Sequence, residues 1–220
     1  MIKMSDSLRN KVVVITGASS GIGRSIALES ASRGATVVLL ARRLDKLEEI
    51  AAEARELSAS AAFAVKADLS LASDIEAAFA EVKEKVKRID YLVNAAGFGK
   101  FEEFMEADMQ DATEMFQVDV LGLMYMTRLF GRLMLDQGSG QIINFGSMAG
   151  KVPTTKSAAY SAAKAAVIQF SNVLRLELKP FGVKVMTVAE GVKVIGLAVA
   201  DPDEEEPSDE GESAEQNEAE

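Results

Sequence analysis

Lys11-Val12-Val13-Val14-Ile15-Thr16-Gly17-Ala18-Ser19-Ser20-Gly21-Ile22-Gly23 is the stretch from which the fold can be read. Its first six residues, rich in β-branched side chains, predict a strand over Lys11–Thr16. Glycines then permit a tight turn, and helical spacing resumes after Gly21. A strand that runs through such a turn into a helix leaves free N–H groups at the helix N-terminus, where a pyrophosphate can be held. The spacing is Gly-x-x-x-Gly-x-Gly rather than Gly-x-Gly-x-x-Gly, so the strand–turn–helix context counts for as much as the letters. Gly17, Ser19, Ser20, Gly21, Ile22 and Gly23 are the first candidate cofactor-binding residues.

The same alternation repeats along the chain. Further strands are predicted at Thr36–Ala41, Ala62–Lys66, Asp90–Asn94, Gln141–Phe145 and Val183–Val188. Helices are predicted near Gly21–Arg33, Leu44–Leu57, Leu71–Lys87, Ala107–Asp136 and Ser157–Lys179. Connections of this length suit right-handed βαβ units. The expected fold is α/β, a single Rossmann-type domain with a doubly wound parallel sheet in the order 3-2-1-4-5-6. A ligand crevice then opens at the carboxyl ends of the first and fourth strands.

Composition narrows the chemistry. The 220 residues contain no His and no Cys, which excludes Ser-His triads, thiol nucleophiles, disulfides and the usual zinc ligands. Acid–base work falls to Tyr, Lys, Asp or Glu. The net charge of −10 belongs to Asp201–Glu220, which holds 11 carboxylates and no Lys or Arg; residues 1–200 carry 24 basic against 23 acidic side chains. The expected organisation is a domain over 1–200 and a disordered acidic tail over 201–220. The near-neutral body has no basic stripe for nucleic acid. No run is apolar and long enough for a signal peptide or membrane span, so a soluble, cytoplasmic protein is expected.

Other strand ends point into the same crevice. The second strand ends in Ala41-Arg42-Arg43, where an NAD-binding domain would place a carboxylate on the ribose 2′-OH. A guanidinium at Arg42 can pair instead with the 2′-phosphate of NADP(H). Asp68 and Leu69 follow the third strand, where Asp68 can hydrogen-bond adenine. Asn94, Ala95 and Gly97 follow the fourth, where small residues let backbone lie against a flat ring.

Tyr160 and Lys164 stand four apart on a predicted helix and share one face. An ammonium beside a phenol favours its ionised form, which makes the tyrosine a usable acid and base at neutral pH. Ser147 closes a strand thirteen residues before Tyr160, where its hydroxyl can hold a substrate oxygen.

Taken together, Thr16–Gly23, Asn94–Gly97, Ser147, Tyr160 and Lys164 at these separations resemble the short-chain dehydrogenase/reductase family over roughly residues 9 to 189. The resemblance implies hydride transfer between nicotinamide and a carbonyl or alcohol. It assigns Tyr160 as acid/base, Lys164 to lower the tyrosine pKa and hold the nicotinamide ribose, and Ser147 to orient the substrate oxygen. It also implies a homodimer formed by the helices at 107–136 and 157–179. That agrees with a stretch, Met115–Leu135, too apolar around its circumference for one buried stripe.

Two departures from the family pattern stand out. Asp119 occupies the position where the family often has an Asn completing a catalytic tetrad. A carboxylate there either cancels part of the Lys164 field at Tyr160 or binds the same water that the Asn would. After the sixth strand, Ala189-Glu190-Gly191-Val192-Lys193-Val194-Ile195 replaces the family's Asn-Pro-Gly and a later Thr. The seventh strand and the substrate-covering segment have no evident counterpart, which leaves the sixth strand as an edge. Two readings stay open here: an NADP(H)-dependent enzyme acting on a small carbonyl or alcohol, and a cofactor-binding or scaffold protein with little turnover.

Overall fold

Successive strand residues point to opposite faces of a sheet, and the first strand shows the consequence directly. In the computed structural model, which describes residues 7–190, Val13 and Ile15 of β1 (Val12–Thr16) enter one buried cluster and Val14 enters another. The sheet continues through β2 (Thr36–Ala41), β3 (Ala62–Lys66), β4 (Tyr91–Asn94), β5 (Gly140–Ser147) and β6 (Val183–Glu190). All pairings are parallel, in the order β3-β2-β1-β4-β5-β6. This is the expected Rossmann-type order, with ends differing from the sequence reading by one or two residues.

On one face, Ile15, Val37 and Leu39 pack under α1 (Gly21–Ser32) and α2 (Leu44–Leu57), through Ala27, Ala31, Leu47 and Ile50. On the other, Val14, Leu40, Leu92 and Ile142 meet α3 (Ala72–Lys85) and the long helical stretch after β4 through Ile75, Phe130 and Met134. Strands buried on both faces read as near-continuous apolar runs, as Val12–Ile15 and Val37–Leu40 do. Among the described residues β6 pairs only with β5, as an edge strand, and its Met186 is 41% exposed. No helix among them is long and apolar enough to cross a membrane.

The single helix predicted over Ala107–Asp136 is composite. α4 (Met109–Phe116) begins at Asp108, whose carboxylate accepts the Gln110 N–H at 2.8 Å. A π-helical turn, Gln117–Gly122, follows, and α5 (Leu123–Gln137) completes the element. The wider turn brings Val120 and Leu123 against Ala163 and Val167 of α6 (Ala158–Leu178). It also lays Gly122 on the backbone of Leu69, where an added Cβ would fall 2.4 Å from the carbonyl oxygen. Asp119 lies inside this turn, in keeping with the tendency of π-turns to mark functional positions.

A buried polar thread links these layers. Asn94 donates to Thr127 Oγ1 at 3.0 Å and to Asn144 Oδ1 at 2.9 Å; Asn144 donates to Ser171 Oγ at 2.9 Å, and Ser171 to the Val167 carbonyl at 2.7 Å. The stretch from Gly191 onward, the acidic tail and the proposed lack of a seventh strand lie outside the described residues, as do Met1–Asp6.

Candidate active site

At the carboxyl ends of β1 and β4 the sheet opens into a cleft of about 410 Å³, lined by the Gly17–Gly23 turn, Arg42, Arg43, Asp68, Leu69 and Ala95–Phe98. Gly17 sits at φ +67°, and a Cβ there would fall 2.7 Å from Ala96 Cα. Only glycine lets β1's turn and β4's turn approach so closely. Ser20 precedes α1 but its side chain caps none of the first-turn N–H groups, so these remain available to an anion.

At one end of the cleft stand two guanidinium groups. Arg43 donates to Ser19 Oγ at 3.1 Å, and the charge of Arg42 acts on Asp68. Burial works against the Asp68 carboxylate. Hydrogen bonds from the Ser70 N–H (3.0 Å) and hydroxyl (2.7 Å), with Arg42 beside it, outweigh that and hold its pKa below the usual carboxylate value. A close-approach turn, an uncapped helix N-terminus and paired guanidiniums together form a cradle that fits a phosphate-bearing dinucleotide.

Next to this cleft, β5, the π-turn and α6 bring four side chains together. Ser147, at the end of β5, accepts the Ala149 N–H at 3.2 Å and is hydrogen-bonded with Tyr160. Lys164, one turn along α6, lies 5.5 Å from the Tyr160 ring centre, and its ammonium reaches the Phe145 carbonyl at 3.5 Å. Its closest charged partner is Asp119 Oδ2, at 2.8 Å, in the geometry of an ion pair rather than a well-aligned hydrogen bond. Asp119 Oδ1 accepts the Phe98 N–H at 3.0 Å, which joins this cluster to the cleft wall.

The electrostatics at the phenol turn on burial, Ser147 and Asp119. Burial pushes the Tyr160 phenol above the ordinary tyrosine pKa, the Asp119 carboxylate pushes the same way, and the Ser147 hydrogen bond opposes both. The Lys164 ammonium pairs with Asp119, 5.5 Å from the centre of the Tyr160 ring. Asp119 is itself raised by burial, with the Lys164 charge and the Phe98 N–H acting against the rise.

A cradle at a topological switch point beside a Ser-Tyr-Lys cluster invites comparison with known proteins, and a family model described as short chain dehydrogenase matches residues 11–201. This chain belongs to the short-chain dehydrogenase family. It is 40% identical over 185 residues to 11-beta-hydroxysteroid dehydrogenase A of Sesamum indicum, covering 83% of this chain and 53% of that protein. The chain thus spans about half the length of that relative. Among solved structures, NAD+-bound xylitol dehydrogenase superposes with a TM-score of 0.81 at 28% identity, over 84% of this chain and 71% of the other. L-sorbose reductase from Gluconobacter frateurii, complexed with NADPH and L-sorbose, gives 0.80 at 31%, over 86% and 71%.

Within this family member the sequence-derived residues divide into two groups. Gly17, Ser19–Gly23, Arg42, Asp68, Leu69, Ala95 and Gly97 all line the cleft. Asn94 does not: its side chain faces inward, 2% exposed, as a link of the buried polar thread. Ser147, Asp119, Tyr160 and Lys164 converge as expected but are covered, at 0%, 0%, 1% and 4% exposure. Against Tyr160 pack residues with no assigned role in the sequence reading. Phe98 and Phe101 pack against a small cluster of Met115, Ala149 and Tyr160. A Phe-x-x-Phe pair just after the Gly97 turn was the available signal.

Proposed function

We propose that the chain is an NADP(H)-dependent oxidoreductase acting on a small carbonyl or alcohol, with Tyr160 as its general acid/base. The bound nicotinamide would supply or accept the hydride. This chain's residues do the rest. Ser147 holds the substrate oxygen, Tyr160 gives or takes the proton at its phenol oxygen, and Lys164 holds the nicotinamide ribose while Asp119 fixes its ammonium. Arg42, with Arg43 beside it, receives the 2′-phosphate. The first-turn N–H groups of α1 receive the pyrophosphate, and Asp68 the adenine.

The observation that carries this reading is the hydrogen-bonded Ser147–Tyr160 pair with Lys164 one turn away, next to an anion-binding cleft that has arginines where a carboxylate would favour NAD. Family relatives with bound NAD+ and with NADPH leave the choice of cofactor to those arginines. Leu121, Tyr125, Val173 and Leu176, exposed by 37–73% on the π-turn, α5 and α6, support a homodimer through these helices.

A second reading, a cofactor-binding protein with little turnover, is favoured by the burial of Tyr160 and its raised pKa. Titration of NADPH and NADH followed by NADPH oxidation against ketones and aldehydes separates the two. Preferential NADPH binding with turnover supports the enzyme. Binding without turnover supports the second reading, and no binding removes both.

A further inference from the structure

The cleft faces solvent while the cluster beside it does not. Packed against Tyr160 is the segment between β4 and α4. The Phe101 ring lies on the Tyr160 ring with centroids 5.1 Å apart and planes tilted by 55°. The segment is stitched down at five points: the Ala96 N–H on Thr16 Oγ1 at 3.1 Å, the Phe98 N–H on Asp119, the Glu102 N–H on the Lys156 carbonyl at 2.8 Å, a Lys100–Asp111 ion pair, and Lys156 with Glu103 at 4.0 Å. Lys100, Glu103 and Lys156 are half or more exposed, and ion pairs of that kind hold weakly. The part that carries Phe101, between Lys100 and Glu103, is thus held by these pairs and one backbone hydrogen bond, while Ala96 and Phe98 are anchored to buried groups.

A carbonyl oxygen has to come within hydrogen-bond reach of Tyr160 and Ser147 to exchange a proton. Against the Tyr160 ring, where such a substrate has to sit, lies the Phe101 ring. We propose that Phe101 is the gate and specificity-determining residue of this site: its ring holds the substrate's place over Tyr160, and the substrate that displaces it carries an apolar group beside its carbonyl. The inference rests on Tyr160 being the proton-transfer group. Whatever replaces the ring meets Phe98, Met115 and Ala149, with the Tyr160 phenol and the Ser147 hydroxyl as the polar groups that the carbonyl itself takes up. A hydroxylated neighbour of the carbonyl would lose its hydration against these apolar side chains.

The test uses the absence of cysteine from the chain. Ala149, 4% exposed on the wall of the same cluster, is replaced in the full chain by Ala149→Cys, and its labelling by N-ethylmaleimide is timed. Labelling is expected to be slow. Adding Phe101→Ala should accelerate it about tenfold, the scale of a lost aromatic pair, and Asp111→Asn, which frees Lys100 without touching the cluster, by about two- to fivefold. In the Phe101→Ala background, acetophenone should slow labelling and dihydroxyacetone should not. Fast labelling with Phe101 in place, no acceleration by either variant, or equal protection by the two ketones would overturn the proposal. Because none of these readouts needs turnover, failure of the oxidoreductase reading would show separately, as an absence of NADPH oxidation in the natural chain.

Discussion

Lys164 Nζ and Asp119 Oδ2 stand 2.8 Å apart with both side chains almost fully withdrawn from water, at 5% and 0% exposure. The lysine charge is thus spent locally, and Tyr160 titrates above the ordinary tyrosine value because of burial first and the Asp119 carboxylate second. In Asp119→Asn the second cause is removed, so the phenol should ionise at lower pH. Reduction needs the protonated phenol, and its kcat/KM should begin to fall at lower pH than in the natural chain. Oxidation needs the phenolate, and its rise should also move to lower pH. Superimposable profiles would mean that Asp119 does not act on Tyr160.

Arg42→Glu should weaken NADPH binding by about 10- to 100-fold, the scale of lost charge-assisted hydrogen bonds. NADH, which lacks the 2′-phosphate, should change far less. Titration of each cofactor by nucleotide fluorescence measures both, and equal losses would remove Arg42 as the reader of that phosphate.

Tyr160→Phe keeps the ring that packs on Phe101 and removes only the phenol oxygen. Turnover should fall by about 10²- to 10⁴-fold, the usual contribution of a positioned acid or base, while NADPH affinity stays nearly unchanged. Retained turnover would assign the proton to another group.

Asn144 is 0% exposed and contacts both Asn94 and Ser171. Asn144→Ala removes two buried hydrogen bonds, leaving Asn94 with Thr127 and Ser171 with the Val167 carbonyl, which should cost about 1–3 kcal/mol. Urea unfolding reads this as a lower midpoint at unchanged slope, and an unaltered midpoint would show that the thread adds little to stability.

Leu176 is 73% exposed on α6 and Leu121 50% exposed on the π-turn. Leu176→Asp should convert a dimer to monomers in sedimentation or light scattering, since an unpaired charge is costly in an apolar interface. A natural chain that is already monomeric would remove the interface.

The sheet order and most element ends were legible because apolar periodicity and glycine punctuation act locally, and the parallel alternation leaves few topologies. The cleft residues followed from the same logic, since a strand end determines where its next residues go. What escaped were features set by packing across distant segments. The turn at Gln117–Gly122 has an ordinary helical pattern, and only contact of Gly122 with Leu69 reveals its wider pitch. Asn94 sits at a strand end like Ala95, but whether its amide faces the crevice or the interior depends on Thr127 and Asn144, 33 and 50 residues away. The covering of Tyr160 by Phe101 likewise joins positions that no local rule connects.

The polar thread has a consequence for assembly of the sheet. Leu92-Val93 of β4 and Ile142-Ile143 of β5 are close to interchangeable as hydrocarbon, so greasiness alone does not distinguish one alignment from a neighbouring one. Slide β5 by a single residue and Ile143 or Phe145 stands where Asn144 was, with the Asn94 amide facing carbon. The two asparagines therefore act as a key cut to one position. Turned correctly, it delivers Ser147 to the end of β5 beside Tyr160, neither one residue short nor one beyond.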